Sequence, residues 1–176
     1  MINELKIDEM IKQGCLVTAG NINDYNTMTI GWGMIGTIWR KKTFIVYVKP
    51  CRYTYEFMEK NDYFTVSFYD KKYIKEIGYL GSKSGRDTDK VNDVDFHPLE
   101  VNNSITFEEA YCTFVCKKYY YTDINKDNVP NEDINRYYLT EEPHRVYYGE
   151  IVEVIEKTPV NGVFYYCYYY FIFLSL

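Results

Sequence analysis

The chain has 176 residues, a formal net charge of −5 at pH 7, and a composition that is 47% hydrophobic, 26% charged and 19% aromatic. That length and balance support a folded core of one-domain size. The acidic balance argues against a nucleic-acid backbone as partner, because such affinity is driven by counterion release from clustered Lys and Arg; small molecules or proteins are the expected partners.

In chain order, Met1-Ile2-Asn3-Glu4-Leu5-Lys6 mixes charge into its first turn and lacks the apolar core and cleavage site of a signal peptide, so no export is expected. Cys15-Leu16-Val17-Thr18-Ala19 reads as a strand. Asn26-Thr27-Met28-Thr29-Ile30-Gly31-Trp32-Gly33 then puts small and hydroxylated residues where an exposed strand would otherwise be apolar, a pattern open to a flat or anionic ligand at its backbone. Thr43–Val48 and Tyr63–Phe68 are further β-branched and aromatic runs bounded by turn residues. Helical spacing covers 54–60 and 71–80, with Tyr73, Ile74, Ile77 and Leu80 on one face and Asp70 as candidate N-cap. Cys112–Cys116 and Arg145–Ile155 add strands, and residues 122–143 read as a polar loop with a short helix near Glu132–Tyr137. About six strands with few, short helices predict a closed or partly closed antiparallel barrel.

The last fourteen residues, from Val163 to Leu176, carry no charge. At about 1.5 Å per residue this run falls short of a hydrocarbon core of roughly 30 Å and has no basic flank, so no membrane span is expected. A β segment covering a subunit surface is the alternative, since so aromatic a free window is an aggregation hazard. The composition break divides the chain into a domain over 1–160 and an aromatic segment of unassigned role over 161–176.

Five cysteines, at 15, 51, 112, 116 and 167, form no CxxC pair and have no closely spaced His, so reduced thiols in a cytoplasm are expected and a zinc site is not. Cys112 and Cys116 would lie about 13 Å apart on a strand, too far for a disulfide. Asp123-Ile124-Asn125-Lys126-Asp127-Asn128 opens like a calcium loop, but Ile134 stands where a bidentate Glu is required and Pro130 interrupts it.

Two segments could hold an anion. Lys49-Pro50-Cys51-Arg52-Tyr53-Thr54 follows a strand and opens a helix, putting Arg52 and the Thr54 hydroxyl beside free N–H groups; a surface Arg and a Thr cap is the competing reading. Gly81-Ser82-Lys83-Ser84-Gly85-Arg86-Asp87-Thr88-Asp89-Lys90 is rich in glycines, hydroxyls and cations but lacks the P-loop arrangement, and reads otherwise as a solvated loop. His97 and His144 are the only histidines, and neither has a nucleophile in a suitable context. His144 precedes a strand and either lines a site or is a half-exposed structural histidine.

Taken together, the Asn26–Gly33 strand, the Pro50–Thr54 turn, Ser82-Lys83-Ser84-Gly85-Arg86-Asp87 with Lys90, and His144-Arg145-Val146-Tyr147-Tyr148-Gly149-Glu150-Ile151 resemble, in order and spacing, the flavin reductase-like family of FMN-binding split barrels. The resemblance covers about residues 10 to 157. It implies a mainly β fold with short helices, a Greek-key antiparallel split β-barrel. It places Asn26, Thr27, Met28, Thr29 and Trp32 against the isoalloxazine and ribityl chain, largely through backbone amides. It makes Arg52, Thr54, Ser82, Ser84 and Lys90 the clamp on the FMN phosphate. His144 would stand near the flavin face where nicotinamide or another substrate docks, the position closest to a catalytic role; no metal is implied. Cys51 replaces a small hydroxyl residue common there, and Lys42 a frequent Pro.

The activity implied is that of a flavoprotein oxidoreductase, a flavin reductase in which hydride passes from NAD(P)H to flavin N5, with position and electrostatics supplied by the protein. A flavoredoxin-like carrier receiving electrons from a protein donor and a non-catalytic flavin-binding barrel are the alternatives. A homodimer with flavin sites near its interface is the expected assembly.

Overall fold

The structure, a computed structural model, describes residues 9–160 and 163–170. The reading of Met1–Lys6 and two parts of the aromatic segment 161–176, namely 161–162 and 171–176, lie outside them. Ten strands are found among the described residues: β1 Cys15–Asn21, β2 Asp24–Ile30, β3 Gly33–Ile38, β4 Lys41–Val48, β5 Tyr63–Phe68, β6 Pro98–Val101, β7 Ser104–Phe107, β8 Cys112–Asp123, β9 Arg145–Val160 and β10 Val163–Tyr170. Two helices, α1 Tyr53–Lys60 and α2 Ile74–Ser82, flank β5 in sequence. No helix among the described residues is long and apolar enough to cross a membrane.

The strands pair antiparallel in the order β2-β1-β5-β8-β9-β4-β3, with β10 added to the C-terminal half of β9 and β6-β7 a separate hairpin. β2 and β3 are thus the two ends of the hydrogen-bonded path, yet only Gly31 and Trp32 connect them. Three residue steps span about 11 Å at most. The sheet therefore curls until its edges meet without pairing, a mainly β split barrel whose seam is crossed at Gly31-Trp32.

Inside the curl, Val17, Phe44, Val46, Phe64, Val66 and Tyr147 are fully buried, and Phe57 and Met58 of α1 close one side of this core. A second core on the other face of β1 joins Leu16 to Ile77 and Leu80 of α2 and Phe107 of β7. Burial of both faces explains why β1 reads as a continuous apolar run. Gly149 is required by close approach: an added Cβ would lie 2.5 Å from the Phe64 ring and 2.6 Å from the Cys116 Cβ.

Two boundaries differ from the sequence reading. Asp70 precedes a 3₁₀ turn, Lys71–Tyr73, without capping it through its side chain, and α2 begins only at Ile74. β8 runs to Asp123, seven residues beyond the expected Cys116, through register shifts at Val115/Cys116 and Lys118/Tyr120 that break the alternation by which a strand is recognised. The polar loop contains a helical turn, Asn131–Asp133, continued by a π-helical turn, Ile134–Tyr138. Cys15, Cys112 and Cys116 are buried free thiols.

Candidate functional site

Two cavities meet on the barrel's seam. One, of about 190 Å³, runs along Met28–Trp32 and is walled by Tyr47, Lys49 and His144; the other, of about 110 Å³, lies between β2, the start of α1 and residues 80–85. Met28 and Arg52 line both.

The strand supplies backbone as well as side chains. β1 and β2 are joined by a two-residue turn closed by Asn21↔Asp24, and in such a hairpin the hydrogen-bonded pairs alternate from the closing pair. Asn26 and Met28 therefore bond to β1, and the N–H and C=O groups of Thr27 and Thr29 face the unpaired edge. The Thr27 side chain does not join the cavities: its Oγ1 lies 2.8 Å from that of Thr18 and donates to the Val17 carbonyl at 3.2 Å. Thr27 is fully buried, backbone included, and lines neither cavity, so the expected contact of this residue with a ligand is not formed by the site as it stands. The Thr29 hydroxyl, at the cavity wall, donates to the Ile77 carbonyl at 2.5 Å and ties β2 to α2.

At the smaller cavity, Arg52 is the N-cap of α1 with no side-chain capping bond, and its guanidinium has no hydrogen bond or ion pair among the described residues. Thr54 is buried in the first turn, where its Oγ1 accepts from Asn26 Nδ2 at 2.7 Å. Two glycines let the next loop close on β2. A Cβ on Gly81 would lie 2.8 Å from Thr29 Cβ, and one on Gly85 2.2 Å from Asn26 Oδ1. The Ser82 hydroxyl donates to the Tyr79 carbonyl at 2.9 Å, and Ser84 Oγ accepts from the Arg86 N–H at 3.2 Å. Lys90 is almost wholly buried and donates to the Leu80 and Lys83 carbonyls at 2.9 and 3.0 Å. Burial pushes its pKa down to about 8. Arg52, Lys83 and Lys90 line this cavity together with Ser82 and Ser84, and among the described residues no carboxylate does. In a chain of net charge −5 this is a local reversal of sign, of the kind that favours an anion. Arg86 is turned away, paired with Glu56 and stacked on Tyr53 at 4.8 Å.

At the larger cavity the walls are aromatic. The rings of Trp32 and His144 lie 4.6 Å apart at 39°, Tyr137 meets Trp32 edge-on at 5.0 Å, and Tyr138 Oη is 3.0 Å from His144 Nδ1. Burial, with the cations Lys49 and Arg52 nearby, lowers the His144 pKa to about 4, so the imidazole is neutral at neutral pH. Lys49 donates to the Tyr137 carbonyl at 2.9 Å and pairs with Glu141, whose carboxyl it holds below the usual range. Lys49, Tyr47 and Tyr138 were not among the expected site residues. Tyr47 near the end of β4 and Lys49 just after it stand two residues apart and line the same cavity, a signal visible only once the direction of that strand is known.

The donor set fits a phosphorylated flat ligand at both ends. A phosphate monoester carries about −1.5 to −2 charge and three acceptor oxygens, which the cationic cavity with its hydroxyls can meet. The backbone edge and the aromatic walls of the larger cavity suit a planar ring.

No curated protein matches this sequence. Among solved structures, a flavoredoxin from Methanosarcina acetivorans is 17% identical, with a TM-score of 0.66 over 92% of this chain and 86% of its own. An FMN-binding protein from Thermus thermophilus with bound 1-cyclohex-2-enone is 20% identical, with a TM-score of 0.64 over 81% of this chain and 69% of its own. An NADH:FAD oxidoreductase of Streptomyces globisporus C-1027 is 12% identical, with a TM-score of 0.61 over 81% of this chain and 75% of its own. At these identities the likeness is one of fold. The model of the Flavin reductase like domain matches residues 8–171, and the chain belongs to that family.

Proposed function

We propose that this protein binds FMN along the β2 edge and works as a flavin reductase-like oxidoreductase, passing hydride or electrons between NAD(P)H or a protein donor and the flavin. The observation that carries the reading is a cationic cavity, with no carboxylate among its described lining residues, at the end of an aromatic one, the two joined through Met28 and Arg52. The neighbours described as an FMN-binding protein and an NADH:FAD oxidoreductase support flavin as ligand and nicotinamide as donor.

The bound flavin supplies a ring that accepts and releases hydride or single electrons. Arg52, Lys83 and Lys90, with the Ser82 and Ser84 hydroxyls, hold the phosphate. The Thr29 peptide group and the Met28 side chain hold the ring edge and its chain. Trp32, Tyr47 and His144 wall the larger cavity and restrict water there. His144 acts as a neutral hydrogen-bonding group rather than a cation, because burial opposes its protonation. A second copy of the chain is the proposed partner in assembly.

The test is an absorption spectrum of purified protein with added FMN, followed by anaerobic titration with NADH and NADPH. Shifted flavin absorption, quenched flavin fluorescence and bleaching by either nicotinamide are expected. Binding without bleaching by either favours the electron-carrier reading, for which the flavoredoxin neighbour is the supporting likeness. Unquenched FMN would sink both, and so would an Arg52→Ala variant that binds FMN as tightly as the parent.

A further inference from the structure

We propose that Tyr138 is a positioning residue for His144: its hydroxyl donates to Nδ1, fixes the imidazole as the Nε2–H tautomer and so gives the aromatic cavity a neutral hydrogen-bond donor. The ligand chemistry that meets such a donor is an acceptor atom on a flat molecule, a ring carbonyl or ring nitrogen.

Donor accounting sets the direction of the bond. Tyr138 is buried, and its Oη lies 3.0 Å from His144 Nδ1, its hydrogen-bond partner among the described residues. If Nδ1 carried the proton and donated to Oη, the phenolic O–H of this side chain, 4% exposed as a residue, would have no acceptor among the described residues, the costlier of the two imbalances. With the O–H donating, both groups are satisfied and the proton of a neutral imidazole falls on Nε2. Nε2 is then the ring nitrogen left for a ligand in the cavity that His144 lines.

The surroundings hold this pair still. Tyr138 ends the π-helical turn Ile134–Tyr138, a local widening of the helix often found at functional sites. Lys49 fastens that turn by donating to the Tyr137 carbonyl, and its ammonium lies 5.6 Å from the Tyr138 ring centre. On its other side the imidazole is covered by Trp32, with ring centres 4.6 Å apart.

The choice of flavin as the molecule that meets Nε2 rests on the proposed function; the tautomer does not. Two-bond proton–nitrogen correlation spectra of labelled protein, taken above the titration of both histidines, read it directly. His97 is an internal reference, since its Nδ1 faces Glu109 at 2.8 Å and carries the proton in the neutral ring. His144 is expected to show the opposite pattern, and Tyr138→Phe to abolish that preference. Tyr138→Phe should also weaken FMN binding about fivefold, as for one neutral hydrogen bond, and add no further loss in a His144→Ala background.

An Nδ1–H wild-type ring would overturn the proposal even if the variant failed to fold. A tautomer unmoved by Tyr138→Phe, or equal losses in both backgrounds, would do the same. An Nε2–H ring in a protein that binds no FMN supports the positioning role and removes the flavin reading alone.

Discussion

Lys90 is the residue at which charge, burial and ligand affinity are most tightly bound together. Its ammonium is held by two main-chain carbonyls at the end of α2, while burial lowers its pKa from an ordinary 10.5 to about 8. A phosphate in the adjoining cavity favours the protonated form. FMN affinity should therefore be full below about pH 8 and fall as pH rises towards the ordinary lysine range, by up to about tenfold per unit for one coupled proton. Stability of the ligand-free protein has the opposite slope there, because the unfolded chain binds more protons than the folded one above pH 8 and so loses more on titration. Fluorescence titrations and urea melts across that interval check the two signs, and Lys90→Met should flatten both. Lys90 was recognisable in the sequence as part of a cation-rich loop. Its burial was not, because a lysine inside a helix terminus and one in solvent look alike until the chain folds back.

At the scale of elements, the site depends on three segments meeting at one carboxamide. Asn26 on β2 donates to Thr54 on α1, and Gly85 brings the following loop to where an added Cβ would lie 2.2 Å from Asn26 Oδ1. Gly85→Ala must push that carboxamide off Thr54. The expected outcome is FMN binding weakened roughly tenfold, in keeping with about 1–3 kcal/mol for a buried partner left unpaired, together with a lower melting temperature. A variant that binds FMN like the parent would show that the three segments are not coupled. Strands with plain alternation, such as β4 and β5, were readable from their β-branched and aromatic runs. β8 was readable only to its first register shift, and α2 began late because the 3₁₀ turn replaces the first helical turn with residues of similar composition. Thr27 shows the same limit on one residue: its type suits a ligand-facing strand, but the pleat turns its hydroxyl to Thr18.

For the whole molecule, the seam between β2 and β3 opens the site, and the fit of the opposite wall holds the curl. That wall includes Gly149, five residues after His144, where β9 passes under the Phe64 ring and beside Cys116. The spacing from His144 to Gly149 could be read in the sequence, but its cause lies in packing: only a residue without Cβ lets β9 and β5 approach across the core. Phe64 is fully buried and its ring is rigid, so it cannot make room by rotating a flexible end. Gly149→Ala should cost about 1–3 kcal/mol, the usual penalty for overpacking a close-packed core, and lower the urea midpoint without altering the slope of the transition. Phe64→Leu in the same chain removes ring atoms where the new methyl would stand, so the double variant should recover part of the loss. Simple addition of the two single effects would refute this account of Gly149, because the added methyl and the removed ring atoms would then not share one space.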